Sequence, residues 1–297
     1  MTGLKSCRQH FTANDFPNNR KIMCDGMTRV RSCMFGLFVL LIAISVAGCG
    51  EKELPYNERP VEQLYNEAMD KMQSGDYRNG AQLFDEVERQ HPYSVWARRA
   101  MLMSAYCYYQ YNEYGQGILA AERFISLHPG NENTVYAYYL IGISYYEQIS
   151  DVGRDQDKTE RALKALQEVV KRYPGSEYAR DAQLKIDLTE DHLAGKEMAV
   201  GRYYLNRHMY LAAIGRFRNV IETYQTTSHT PEALHRLTES YLALGVPREA
   251  QMSAAVLGHN YPASRWYRDS YRLLEGKNLA PEEDEESWLG RAWRSVF

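Results

Sequence analysis

The stretch GDYRNGAQLFDEVERQHP, residues 75 to 92, contains a pattern that recurs along this chain of 297 residues. Tyr77 stands at a turn, a small residue follows three positions later at Gly80, and a large apolar residue stands at Phe84. A small residue lets two helices approach closely, and a proline such as Pro92 cannot continue a helix. The stretch therefore predicts a helix that packs tightly on a neighbour and ends just before Pro92.

The same pattern starts at five places, and each start is followed by a closing residue fifteen positions later. The starts are Tyr77, Tyr114, Thr159, Tyr210 and Pro247, and the closing residues are Pro92, Pro129, Pro174, Gln225 and Pro262. Successive starts lie 37, 45, 51 and 37 residues apart, which we attribute to longer first helices and to an insertion, SDVGRDQD, at residues 150–157. The pattern resembles the second half of the tetratricopeptide repeat, a helical hairpin of about 34 residues.

The predicted fold is all-α. One such hairpin cannot bury its apolar face alone, so stacked hairpins form the core and leave a concave groove. We expect an α-solenoid of five tetratricopeptide-like hairpins with a C-terminal capping helix at residues 264–274. The expected divisions are a signal peptide (1–48), a lipidated N-terminus and tether (49–60), repeats one to three (61–180), repeats four and five with the capping helix (181–279), and an acidic linker with a short amphipathic helix (280–297).

The N-terminal region carries the pattern of a secretory signal. Residues 35–46 are almost wholly apolar and follow Arg29 and Arg31, but the run is too short to span a hydrocarbon core of about 30 Å. The residues that follow, Val46 to Cys49, resemble the lipobox of bacterial lipoproteins. That resemblance implies cleavage before Cys49 and a covalent N-acyl and S-diacylglycerol lipid on its thiol and amine, with Met27 as a possible true start. The alternative is an ordinary cysteine in a hydrophobic segment.

Composition narrows the class of partner. Cleavage would leave only Cys49 and Cys107, so no intramolecular disulfide is expected. The net charge of −3 would become −7, and a mildly acidic chain without a basic block argues against nucleic acid as a partner. No HExxH, GxSxG or Walker-type motif occurs. We therefore expect a protein that is not an enzyme, with no metal and no cofactor beyond the lipid.

The 24 tyrosines suggest a repeated use of this side chain. The first helix of each tetratricopeptide hairpin lines the groove, and by that register the groove residues are Tyr65, Met69, Met72, Tyr106, Tyr109, Tyr136, Tyr139 and Tyr146. Tyrosine offers a rigid ring and a hydroxyl, and methionine repacks around varied shapes, so such a groove suits extended polypeptides. The alternative is that many of these rings belong to the core between repeats.

Longer strings resemble one family, the BamD lipoproteins of outer-membrane β-barrel assembly. They are LYNEAMDKMQSGDYRNGAQLFDEVERQHPYSVWARRA, FISLHPGNENTVYAYYLIGISYYEQI, RYPGSEYARDA and VGRYYLNRHMYLAAIGRF. The resemblance implies a lipid anchor at the periplasmic face of the outer membrane, which Gly50 after the cysteine also favours. It implies binding to the POTRA domains of a BamA-type barrel subunit, to other lipoproteins of the complex, and to unfolded outer-membrane proteins. The competing interpretation is a periplasmic repeat lipoprotein that coordinates peptidoglycan synthesis or binds the cell wall.

Two further features depend on that resemblance or on the C-terminal sequence. Arg216 aligns with an arginine of the family's partner-facing surface, and the alternative is an exposed charge on a second helix. At the C-terminus, the acidic PEEDEES precedes WLGRAWRSVF, whose apolar residues form one stripe of a helix. We favour an unpacked linker and a helix that docks a partner or a membrane surface. The alternative is docking on the chain's own last repeat.

Overall fold

The computed structural model of this chain describes residues 58–284 and 287–294, and this part contains twelve helices and no strand. The predicted signal peptide, Cys49 and most of the predicted tether lie outside these residues. The helices are α1 (Val61–Gln73), α2 (Tyr77–Gln90), α3 (Val95–Gln110), α4 (Tyr114–Leu127), α5 (Thr134–Tyr146), α6 (Asp157–Arg172), α7 (Glu177–Asn206), α8 (Tyr210–Thr223), α9 (Thr230–Leu244), α10 (Pro247–Asn260), α11 (Arg265–Glu275) and α12 (Trp288–Arg294).

The helices stack as hairpins in chain order. Each helix from α1 to α10 packs on the next, and successive odd-numbered helices from α1 to α7 also contact each other. Helices α7 and α9 meet through the ion pair of Arg202 with Glu232 at 3.0 Å. Helix α11 packs on α9 and α10 and closes the end of the stack. The predicted solenoid of five hairpins with a capping helix is confirmed.

The repeated pattern places the second helix of each hairpin. Four of these helices begin at the predicted start, and α6 begins two residues before Thr159. The residues at the seventh step from each start are fully buried: Phe84, Ala121, Leu166, Phe217 and Ala254. At the third step, a methyl group on Gly117 would lie 3.2 Å from the Ala105 carbonyl oxygen, so the small residue brings the two helix backbones together.

The turns inside the hairpins share one conformation. Gly75, Asn112, His208 and Gly245 each stand two residues before the second helix and adopt the left-handed region, with φ between 60° and 82°. Such a residue ends a helix sharply and reverses the chain. The third hairpin instead carries the predicted insertion, so its helices are joined by residues 147–156.

The first helix of the fourth hairpin is longer than the others, as the spacing predicted. Helix α7 has 30 residues and starts after Ser176, whose hydroxyl accepts a hydrogen bond from the Ala179 amide. It runs through the boundary between residues 180 and 181, so one continuous helix joins the two groups of repeats.

The C-terminal segment packs on the protein itself. Leu289 is fully buried, the Trp288 Nε1–H donates to the Tyr241 hydroxyl at 3.0 Å, and the Arg218 guanidinium lies 4.1 Å from the Trp288 ring centre. The described start of the linker also contacts α10, because Arg248 pairs with Asp284 at 3.0 Å and Gln251 donates to Glu282 at 3.2 Å. Our favoured interpretation, an unpacked linker with a free docking helix, is therefore wrong. An amphipathic stripe specifies an apolar face but not the surface that covers it.

No helix within residues 58–284 and 287–294 is both long enough and apolar enough to cross a membrane.

Candidate functional site

The first helices of the second and third hairpins bring four of the predicted groove tyrosines together. Tyr106 and Tyr109 of α3 face Tyr136 and Tyr139 of α5, and Tyr178 of α7 closes the group. The Tyr178 ring centre lies 5.3 Å from that of Tyr136 and 5.2 Å from that of Tyr139. We call these five residues the tyrosine cluster. All five are half-buried, so each ring packs on the core along one edge and is accessible along another.

Burial sets the protonation state of the cluster. It raises the pKa of Tyr136 well above its usual value, and the neighbouring tyrosines add to the shift. The pKa of Tyr139 is raised by burial and by the hydrogen bond that its hydroxyl donates to Asp181. Burial, followed by Glu147, raises the pKa of Tyr109. The hydroxyls are therefore protonated at physiological pH. Tyr109 and Tyr139 donate their single proton to Glu147 and Asp181, so their oxygens can accept, whereas the Tyr136 hydroxyl can donate to a peptide carbonyl.

A second aromatic group lies at the N-terminal end of the stack. The Tyr65 ring centre is 4.8 Å from that of Trp96 and 5.5 Å from that of Phe84. Met69 and Met72 pack on the same core and stay half-buried. Tyr65 thus lies beside Trp96, and Met69 and Met72 follow it along α1 on the same core. The Tyr77 ring, 6.4 Å from Tyr106, lies between this aromatic group and the tyrosine cluster.

The last predicted groove residue, Tyr146, stands apart. It packs on the core of α6 and α7, and the Lys185 ammonium lies 5.6 Å from its ring centre. All eight predicted residues thus serve partly as packing, as the alternative interpretation held. Their role in binding remains a prediction.

Sequence reasoning missed Trp96, Tyr178 and Asp181. Trp96 and Tyr178 were findable from one local signal, because each stands two residues after a serine that caps its helix. Ser94 accepts from the Ala97 amide at 2.9 Å, and Ser176 accepts from the Ala179 amide at 3.0 Å. Asp181 carries no such signal. A tryptophan in the first turn of a first helix points to the edge of the groove.

Arg216 lies away from the tyrosines, on the second helix of the fourth hairpin. Its guanidinium pairs with Glu197 of α7 at 3.2 Å, and 46% of its side chain is exposed. It is thus an exposed charge with an internal partner, and a contact with another subunit remains a prediction.

Metal binding and nucleophilic chemistry find little support among the described residues. Within residues 58–284 and 287–294, no three His, Cys, Asp or Glu side chains lie close enough together to hold a metal ion. Cys107 is fully buried, and burial raises the pKa of its thiol to about 12, so it is not a nucleophile at neutral pH. In the insertion, Asp151 accepts from the Gly153 amide at 2.7 Å and folds the loop locally.

Comparison with known proteins identifies the family. A family model described as "Outer membrane lipoprotein" (YfiO) matches residues 57–257. The outer membrane protein assembly factor BamD of Caulobacter vibrioides is 56% identical over 246 residues, which cover 82% of this chain and 81% of that protein. The chain belongs to the BamD family. The BamD proteins of Rickettsia prowazekii, at 43% identity over 80% of this chain and 95% of the relative, and of Neisseria meningitidis serogroup A, at 35% over 77% and 90%, agree.

Solved structures similar to this chain include tetratricopeptide proteins. A thermophilic tetratricopeptide protein of Thermus thermophilus is 17% identical, with a TM-score of 0.34 over 72% of this chain and 98% of that chain. The tetratricopeptide domain of P58(IPK) is 14% identical, with a TM-score of 0.38 over 80% and 64%.

Proposed function

We propose that this chain is a non-catalytic lipoprotein subunit of the outer-membrane β-barrel assembly complex. Its relatives of the BamD family are named as assembly factors for outer membrane proteins, and a repeat solenoid is a scaffold rather than a catalyst. In this proposal the first three repeats receive unfolded barrel precursors, and repeats four and five bind the periplasmic POTRA domains of a BamA-type subunit. A lipid on Cys49 holds the chain at the periplasmic face of the outer membrane.

The tyrosine cluster is the observation that carries the proposal. A barrel precursor is an extended chain with alternating apolar side chains and unpaired backbone carbonyls. Half-buried rings offer it rigid apolar area at low entropic cost, and the hydroxyls offer it hydrogen-bonding groups without demanding one sequence. The carboxylates of Glu147 and Asp181, which accept from Tyr109 and Tyr139, hold those rings in place before a ligand arrives.

We expect Tyr136→Ala to weaken binding of an unfolded barrel protein by about tenfold or more, because truncating a central aromatic contact costs about 2 kcal/mol. The measurement is a fluorescence anisotropy titration of a labelled, urea-unfolded barrel protein diluted into the detergent-solubilised full-length chain. Tyr136→Phe keeps the ring and removes the donor, so its effect separates ring contact from hydrogen bonding.

The matched control is Tyr203→Ala on α7. Tyr203 is an equally large ring, but it is half exposed and lies against Arg207, whose guanidinium is 4.3 Å from its ring centre, outside the tyrosine cluster. If the two alanine variants weaken binding equally while both remain folded by circular dichroism, the groove is not the precursor site.

We expect Arg216→Glu to reduce recovery of the barrel subunit when the tagged chain is purified from detergent-solubilised membranes. The substitution also breaks the pair with Glu197, so a second variant is needed. Arg216→Glu with Glu197→Arg restores the internal pair with its charges exchanged. Recovery that stays low in this double variant assigns Arg216 to the partner surface. Recovery that returns to normal assigns it to the fold.

The competing function, coordination of peptidoglycan synthesis or cell-wall binding, is separated by the same purification. Recovery of a BamA-type barrel subunit with the wild-type chain supports the proposal. Recovery of peptidoglycan synthases without any outer-membrane barrel protein contradicts it.

A further inference from the structure

An open apolar crevice of about 510 Å³ lies between α4 and α6. Its floor is formed by Tyr138, Ile141 and Tyr145 of α5, and its walls include Ile125 of α4 and Ala165 of α6. The floor residues form a different stripe of α5 from Tyr136 and Tyr139, because a helix turns about 100° per residue. The crevice is therefore separate from the tyrosine cluster.

The same place in a later repeat is occupied. The groove between α8 and α10 has α9 as its floor, and α12 lies in it with the Trp288 indole donating to Tyr241. Tyr241 is a floor tyrosine near the end of its helix, as Tyr145 is near the end of α5. The crevice and the groove between α8 and α10 therefore occupy equivalent places in two repeats. In the second of these places, a short helix binds through an aromatic side chain.

The two grooves carry opposite charges at equivalent positions of their walls. Glu122 in the crevice and Arg218 in the occupied groove both stand eight residues after their helix starts. Arg161 and Glu249 both stand two residues after the repeat starts Thr159 and Pro247. In the occupied groove, Arg218 covers the Trp288 ring and Glu249 accepts from the Ser287 hydroxyl at 2.7 Å.

These contacts could not form in the crevice. An α12-like helix would place its ring beside the carboxylate of Glu122 and its serine beside the guanidinium of Arg161, which already pairs with Asp157 at 3.0 Å. Glu122 and Lys164, which also lines the crevice, form no ion pair with any residue in 58–284 or 287–294. The crevice therefore has Glu122 on its α4 side and Arg161 and Lys164 on its α6 side; the other charged lining residue of α6, Glu168, pairs with Arg172.

We propose that this crevice binds a short amphipathic helix of another protein. That helix places a large apolar or aromatic side chain over Tyr145, an acidic side chain toward Arg161 and Lys164, and a basic side chain toward Glu122. It is a third interaction surface, distinct from the tyrosine cluster and from Arg216, and it does not depend on the function proposed for either.

Two fluorescein-labelled peptides test the charge order. Both have the length and apolar residues of segment 284–294; one carries Glu on the flank facing α6 and Lys on the flank facing α4, and the other carries the reverse. Anisotropy titrations with the detergent-solubilised full-length chain should favour the first peptide by about fivefold, since two surface charge pairs contribute modestly. The variant Glu122→Lys with Lys164→Glu should reverse the preference.

A bulky substitution that fills the crevice tests whether the peptide binds there. Ala165→Trp occupies the space on α6 and should weaken the favoured peptide by about tenfold. Lys171→Trp, an exposed site on the same helix outside the lining, is the control and should leave binding unchanged. Equal binding of both peptides, or binding that survives Ala165→Trp, would overturn the proposal. Preference of the wild-type chain for the peptide with the unaltered sequence 284–294 would also overturn it and point to a second copy of the chain.

Discussion

Replacing Phe217 with alanine is expected to lower the free energy of unfolding by about 4 kcal/mol, the usual cost of emptying a large aromatic site in a core. Phe217 is fully buried at the seventh step of the fourth hairpin and belongs to the core shared by α7 to α12. Each hairpin of a solenoid contacts only its neighbours, so the loss falls on the C-terminal repeats. Urea unfolding followed by circular dichroism measures it.

A substitution at Gly201 of α7 tests how closely this helix packs on the Phe217 ring. A methyl group on Gly201 would overlap the Phe217 ring at Cε1, so Gly201→Ala should destabilise the wild-type chain by about 1–3 kcal/mol through overpacking. In the Phe217→Ala background the ring is gone, and the methyl group fills part of the cavity. The same substitution should then stabilise the protein, because alanine is also the better helix residue by about 1 kcal/mol.

The control is Gly215→Ala on α8. Gly215 is exposed, and no atom lies within 4 Å of the position its methyl group would take, so the variant should gain stability from helix propensity alone. If Gly201→Ala behaves like Gly215→Ala in the wild-type chain, close packing of α7 on Phe217 does not limit stability.

The hairpins were predictable because their signals are local. A turn residue, a small residue at the third step and a proline after the helix act within one hairpin, so four second helices begin at the predicted residue. The buried residues at the seventh step followed from the same register. What the register omitted was the partner on the first helix: Gly142 lies against Leu166 across the insertion, and Gly201 lies against Phe217 across the turn between α7 and α8.

The binding surfaces were only partly predictable, because they depend on contacts between distant segments. The groove register found Tyr106, Tyr109, Tyr136 and Tyr139, but it omitted Tyr178, which stands two residues after the serine that caps α7. The docking of α12 depends on Tyr241 and Arg218, which lie 47 and 70 residues before Trp288. The apolar stripe was visible in the sequence, while the groove that accepts it was not.

Replacing Cys49 with alanine is expected to abolish lipid attachment and to remove the chain from the outer-membrane fraction. One acyl chain gives only marginal membrane binding, whereas the three chains implied by the lipobox give stable anchoring. The measurement is incorporation of an alkyne-labelled palmitate in cells, followed by density-gradient separation of the membranes. The wild-type chain should carry the label and fractionate with the outer membrane.

Cys107→Ala is the matched control, since it removes the other cysteine that cleavage before Cys49 would leave. Cys107 is fully buried and its thiol has a pKa raised to about 12, so it cannot compete for the label, and alanine fits its site. Label retained by Cys49→Ala and lost by Cys107→Ala would refute the anchor.

The predicted lipid on Cys49 would stand close in sequence to the point where the chain first contacts the repeats. The backbone amide of Arg59 donates to Gln90 at 3.0 Å, and its carbonyl oxygen lies 2.8 Å from His91 Nε2, so the chain is held to the end of α2 before α1 begins. Ten residues separate Cys49 from Arg59, and a fully extended chain of that length spans about 35 Å at most. A lipid on Cys49 would therefore keep Arg59, and with it the end of α2, within that distance of the bilayer. A Cys49→Ala chain that still binds unfolded barrel protein in solution but no longer supports barrel assembly in cells would show that the anchor supplies position and the groove supplies affinity.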